Sequence, residues 1–157
     1  MLLNVRFLNR FMVSDQAQSS LVTCRGRTDV LGRPQERHDI VATKRHIAAS
    51  DAPPLYAIFI PARFDFPLSL IRSSGVFCVN RLSEERHGEV AFCTRHAGDH
   101  LDKFQETGLT LAECETIDCP RIAEAVAYLE CELVEEKAVG DHVLFVGKVL
   151  RSVSPQS

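Results

Sequence analysis

Apolar runs and alternating positions divide the chain into short β segments with a few helices set between them. The clearest period of two covers Ala127–Val134. Ala127, Leu129, Cys131 and Leu133 share one face and Tyr128, Glu130 and Glu132 the other, which predicts a strand with one wet face. Val139-Gly140-Asp141 reads as a turn, and His142–Leu150 returns as a largely apolar strand. Leu21–Cys24, Asp39–Thr43 and Val76–Val79 are further strand candidates. Leu55–Ile60 reads as a strand buried on both faces, entered through the extended backbone that Pro53-Pro54 imposes. The polar stretch Ser14–Ser20 reads as a loop. Arg25–Arg37, punctuated by Gly26, Gly32 and Pro34, reads as a long hairpin or crossover loop.

Three helices have readable ends. In the first, Asp65 fits the N-cap, Pro67 the first turn and Gly75 the position just past the end, with Leu68, Leu70 and Ile71 as the apolar stripe. Ser83 followed by Glu84-Glu85 marks a second start, with acids at the positive end of the helix dipole. A third, short helix covers Leu101–Thr107 and is closed by Gly108. Strands dominate, and the helices are inserted rather than alternating regularly. That pattern predicts a small barrel with helical excursions, not a doubly wound parallel sheet.

Composition narrows the class without naming a chemistry. The 157 residues are 45% hydrophobic and 25% charged, enough apolar material for one core and too much for a disordered chain. A single domain over residues 1–157 is expected. No uncharged run approaches the ~20 residues of a membrane span, and Arg6 and Arg10 break up the apolar N-terminus that a secretory signal would need. A soluble, cytoplasmic protein is the expectation. Eighteen basic residues against 21 acidic ones leave no field for a polyanion, and Lys44-Arg45-His46 is too short for a nucleic-acid patch.

Cys24, Cys78, Cys93 and Cys131 sit in apolar runs and read as small buried hydrophobes. Cys114 and Cys119 lack the Cys-x-x-Cys spacing of a zinc hook, and the six histidines are scattered, so no metal site is expected. A nucleophile elbow Gly-x-Ser-x-Gly, a P-loop and a dinucleotide fingerprint are all absent.

Four stretches carry a resemblance. The first is Asp39-Ile-Val-Ala-Thr-Lys-Arg, continuing through Ser50 to Pro53-Pro54-Leu-Tyr56. The second is Arg63-Phe64-Asp65 running into Leu70-Ile-Arg-Ser-Ser-Gly-Val-Phe-Cys-Val-Asn80. The third is Gly98-Asp-His-Leu-Asp-Lys103-Phe104, and the fourth runs from Leu129-Glu-Cys131 to Gly140-Asp-His142-Val-Leu-Phe-Val-Gly147. Over residues 20–151 and in this order, they resemble the flavin reductase-like family, whose members are FMN-binding split barrels.

The resemblance implies a mainly β, Greek-key split β-barrel that works as a homodimer with FMN in a groove near the subunit interface. It implies reduction of that flavin by NADH or NADPH, with hydride passing to flavin N5 and an oxygenase or other electron acceptor downstream. No side chain need act as acid or base, although His142 is a candidate contact for nicotinamide or flavin. The cofactor-binding candidates it implies are Thr43, Lys44, Arg45, Ser50, Arg63, Phe64, Asp65, Lys103, Phe104 and His142. Two departures stand out: Ala42 occupies the family's Thr position and Arg45 its aromatic one. Asp65 also puts a carboxylate where a phosphate would sit. These departures keep a second class open, a non-enzymatic flavin-binding electron carrier or a divergent partner subunit that has lost FMN.

Overall fold

Ser20–Val30 (β1) and Arg33–Thr43 (β2) pair antiparallel along their whole length, from Ser20 opposite Thr43 to Val30 opposite Arg33. The structure, a computed structural model, describes residues 19–97 and 101–155. The punctuated stretch 25–37 is thus a long hairpin, and only Leu31 and Gly32, both at positive φ, turn it. The chain continues through His46–Asp51 (β3) and Pro54–Pro61 (β4) to the helix Asp65–Ser74 (α1), then Val76–Arg81 (β5). A 3-10 turn at Glu84–Arg86 leads into His87–Arg95 (α2), and Lys103–Thr107 forms α3. The short strands Leu111–Glu113 (β6) and Pro120–Ile122 (β7) pair with each other, and Ala127–Val139 (β8) and His142–Val153 (β9) form the final hairpin.

Seven strands make one antiparallel sheet in the order β2-β1-β5-β8-β9-β4-β3. Its two edge strands, β2 and β3, are consecutive in the chain and joined by only Lys44 and Arg45. The sheet must therefore curl until its edges meet. At the meeting point the Phe59 N–H of β4 donates to the Arg45 carbonyl (3.0 Å), and the Thr43 hydroxyl donates to the Phe59 carbonyl (2.8 Å). This is the expected split β-barrel with inserted helices. Inside it lie Val22, Val41, Tyr56, Ile58, Phe77, Leu129 and Phe145, capped by Leu68, Leu70 and Ile71 of α1. A second cluster, including Leu21, Ile40, Val90, Cys93 and Phe104, packs α2 and α3 against the outside of β1 and β2.

Two glycines set how closely these layers approach. A Cβ on Gly26 would lie 2.3 Å from Ser73 Oγ and 2.5 Å from the Leu70 carbonyl oxygen, so α1 rests directly on β1. A Cβ on Gly147 would lie 2.6 Å from Phe77 Cζ and 2.8 Å from Cys131 Cβ. The small residue that ends the Gly-Asp-His stretch is needed for packing in the barrel interior.

Several expectations change. Asp65 is the first helical residue and not the N-cap; Phe64 holds that position, with no side-chain cap bond. Gly75 does close α1, in the left-handed conformation with its N–H on the Ile71 carbonyl. Ser83 begins a 3-10 turn before α2, also without a side-chain cap bond. The third helix starts at Lys103, capped by Asp102, two residues later than the pattern predicts. The polar face of β8 is not wet at its start. Tyr128 and Glu130 are buried, and the Glu130 carboxylate accepts from the N–H groups of Glu115 and Thr116 and from the Thr116 hydroxyl. Exposure on that face begins only at Glu132.

Cys24, Cys78, Cys93 and Cys131 are buried and free, as their apolar surroundings predict. Among the described residues, no helix is long and apolar enough to cross a membrane.

Candidate functional site

Where β2 passes to β3, Lys44 and Arg45 form an exposed turn held from behind. Thr43 is buried, and besides donating to Phe59 its hydroxyl lies 3.1 Å from the Arg45 carbonyl. The turn is thus fixed to β4 rather than free to swing. A second turn reaches the same place from the other side. Pro61 of β4 is paired with His142 of β9, and the Ala62 N–H donates to the Asp141 carbonyl (2.9 Å). That bond sets Arg63 and Phe64 beside His142. The Arg63 guanidinium stacks over the Phe64 ring at 4.6 Å, a cation–π contact that holds the charge at the surface.

Between the two turns lies a cleft of about 280 Å³. Ala42, Phe59, Pro61, Phe64 and Ala97 supply its apolar lining, and Lys44, Arg45, Arg63 and His142 line it together with the hydroxyl residues Ser19 and Thr94. None of the described lining residues is a carboxylate. Asp141, beside His142 in the chain, accepts from His142 Nδ1 at 2.7 Å, and this bond holds its carboxyl below the usual carboxylate range. A lining that combines apolar side chains with cationic ones suits an aromatic ring that carries an anionic tail.

Lys44, Arg45, Arg63, Phe64 and His142 therefore converge on one cleft, and Thr43 stands directly behind it. The other sequence candidates lie elsewhere. Ser50 is on β3, opposite Leu55. Asp65 is exposed and outside the lining. Lys103 and Phe104 face the interior: the Lys103 ammonium bonds to the Asp39 carboxylate, both fully enclosed, and the Phe104 ring meets His38 edge-on at 5.6 Å. Gly98, Asp99 and His100 of the third stretch lie outside the described residues.

Ser19, Phe59, Pro61, Thr94 and Ala97 line the cleft although the sequence does not single them out. Pro61 and Phe59 could have been found from the end of the apolar strand that precedes Arg63. Thr94 and Ala97 have no such signal, because only the packing of α2 against β2 brings them there.

A model of the flavin reductase like domain matches residues 17–155. A flavin reductase of Pseudomonas putida is 35% identical over 97 residues, 62% of this chain and 53% of that protein. The reductase subunit HsaB of a flavin-dependent monooxygenase from Rhodococcus jostii is 32% identical over 108 residues, 69% of this chain and 52% of that protein. The chain spans about half the length of these relatives. Among solved structures, an FMN-binding protein from Thermus thermophilus with bound 1-cyclohex-2-enone superposes with a TM-score of 0.73 at 25% identity, covering 87% of this chain and 69% of that one.

Proposed function

The chain belongs to the flavin reductase-like family, and on that premise we propose that it binds FMN in the cleft between the 44–45 and 63–64 turns and reduces it with NADH or NADPH. The observation that carries this reading is the donor set. Lys44, Arg45 and Arg63 share the lining with apolar side chains, and no carboxylate is among the described lining residues, which fits a ring system bearing a phosphate. FMN, when bound, supplies the hydride-accepting atom N5 and carries the redox chemistry.

The work left to the protein is binding, orientation and exclusion of water. Lys44, Arg45 and Arg63 neutralise the phosphate. Phe59, Pro61 and Phe64 would offer a surface for the ring, and the Thr43 clamp fixes the cationic turn against β4. His142, tied to Asp141 through Nδ1, lines the cleft and in this proposal contacts flavin or nicotinamide. A volume of about 280 Å³ sits at the low end of small-molecule sites, which run from roughly 300 to 1,000 Å³. Space for both cofactors requires a further wall, and in this proposal a second copy of the chain supplies it.

The Rhodococcus relative is a reductase subunit of a monooxygenase, and an oxygenase accepting reduced flavin is the partner that follows for this chain. The test is FMN titration of the full chain, read by quenching of flavin fluorescence, followed by nicotinamide oxidation. Saturable binding at micromolar FMN with FMN-dependent loss of NADH or NADPH is expected. Binding without nicotinamide oxidation would make the chain an electron carrier instead, and no binding would overturn the flavin reading.

A further inference from the structure

Away from the cleft, three sulfurs gather where β7 packs against β1 and β5. Cys78 and Cys119 are buried with Tyr128, and Cys114 is packed against them, half-buried. Cys114 and Cys119 extend the β6–β7 ladder by one step beyond the pair Glu113–Pro120, and the Cys114 N–H donates to the Cys119 carbonyl at 3.0 Å. The Cys119 N–H turns to the Ile117 carbonyl, and directly opposed residues of antiparallel strands lie about 4.5–5.5 Å apart at Cα, inside the ~4.4–6.8 Å range of disulfides. Both sulfurs also approach one atom: Cys114 Sγ is 3.9 Å and Cys119 Sγ 3.4 Å from the Pro120 carbonyl oxygen.

The surroundings divide the roles. The neighbouring Cys119 and Cys78 thiols favour the thiolate form of Cys114, and the Arg121 guanidinium adds positive charge. Together they hold the Cys114 thiol well below its ordinary range, against the opposing effects of burial and Glu130. Burial pushes Cys119 and Cys78 the other way, so they remain protonated, with Cys119 donating to the Thr23 carbonyl and Cys78 to Asn80 Oδ1. The loop between the two cysteines is anchored by the Glu130 carboxylate through Glu115 and Thr116, which keeps the sulfurs on one side of the hairpin.

We infer that Cys114 and Cys119 form a thiol–disulfide exchange site that takes low-molecular-weight disulfides, with Cys114 as the attacking sulfur and Cys119 as the resolving one. The Cys114 thiolate attacks one sulfur of the small disulfide, forming a mixed disulfide and releasing a thiolate. Cys119 gives its proton to that thiolate, and its sulfur then attacks Cys114 Sγ and expels the second thiolate. Two electrons pass from the cysteine pair to the small disulfide, which leaves as one thiol and one thiolate. This site is independent of flavin binding, since none of its residues lines the cleft.

Oxidised glutathione added to the full reduced chain tests it, with acid quenching, alkylation of the remaining thiols and peptide mass mapping. The expected product has lost two hydrogens, with Cys114 joined to Cys119 and the other four cysteines alkylated. The variant Cys119→Ser should stop at a stable glutathione adduct on Cys114. Alkylation of Cys114 should also lose less than tenfold in rate between about pH 8 and pH 6, whereas an ordinary thiol with a pKa of ~8.5 loses on the order of 100-fold. A wild-type chain that keeps the glutathione adduct, links Cys114 to Cys78, or leaves Cys114 unreacted would overturn the assignment.

Discussion

The Lys103 ammonium is bonded to Oδ1 of Asp39 with both side chains wholly enclosed, while Oδ2 of the same carboxylate has no hydrogen-bond partner among the described residues. Burial raises the Asp39 carboxyl, and the neighbouring Lys103 charge works against that rise. Removing one partner strands the other charge, which costs about 3–5 kcal/mol, whereas replacing both with apolar residues is often nearly neutral. Lys103→Met should therefore destabilise by that amount in urea denaturation, and Asp39→Leu combined with Lys103→Met should recover most of it. A single substitution that costs under 1 kcal/mol would show that the pair is hydrated.

His46 makes stability depend on acid. Its Nδ1 meets the Tyr56 hydroxyl at 2.6 Å, and burial lowers its pKa from the usual 6.5 to about 4. Between those two values the unfolded chain binds a proton at this position and the folded chain does not. Stability therefore falls as pH is lowered through that window and rises as pH is raised. With part of the ring open to solvent, the loss by pH 4 is about 2 kcal/mol. The difference in unfolding free energy between wild type and His46→Gln, followed from pH 7 to pH 4, should shrink by that amount.

Arg63 and Asp65 are two residues apart, yet only Arg63 reaches the cleft. Arg63→Gln should weaken FMN roughly 10-fold, the value of one charge-assisted contact of about 1.4 kcal/mol. Asp65→Asn should change the dissociation constant by less than about 3-fold. Equal effects at the two positions in the fluorescence titration would mean that the phosphate lies over the start of α1.

Gly147→Ala asks Phe77 and Cys131 to make room for a methyl carbon that would stand 2.6 and 2.8 Å from them. Overpacking of this kind costs about 1–3 kcal/mol. Thermal unfolding should show a lowered Tm, and Phe77→Leu in the same chain should restore part of it.

The strands that alternate or run apolar, and the helix closed by Gly75, could be read from local pattern because their burial follows from neighbours two to four positions away. Lys103 could not. A lysine in a short amphipathic segment carries no sign that its partner is Asp39, 64 positions earlier. Glu130 misleads for the same reason, since its ligands come from a loop about fifteen residues upstream. The strand His46–Asp51 has an alternating exposure with no large buried apolar residue, so it leaves no hydrophobic trace. In the cleft, Lys44, Arg45, Arg63, Phe64 and His142 were reachable only through the family resemblance, since as local pattern they read as ordinary solvated residues beside strands. Thr94 and Ala97 depend on how α2 is laid down and were not.

The two-residue connection at Lys44 and Arg45 joins the first and last strands of the sheet order. It is the clasp of the barrel as well as a wall of the cleft. An anion gripped by Lys44 and Arg45 on one side and by Arg63 on the other would hold that clasp shut, so binding and barrel closure share one free energy. Amide hydrogens at the Arg45–Phe59 contact should then exchange more slowly in FMN-saturated protein, and those of the distant Leu31 turn should not change. Occupancy of the cleft would then be read out in the tightness of the barrel's own seam.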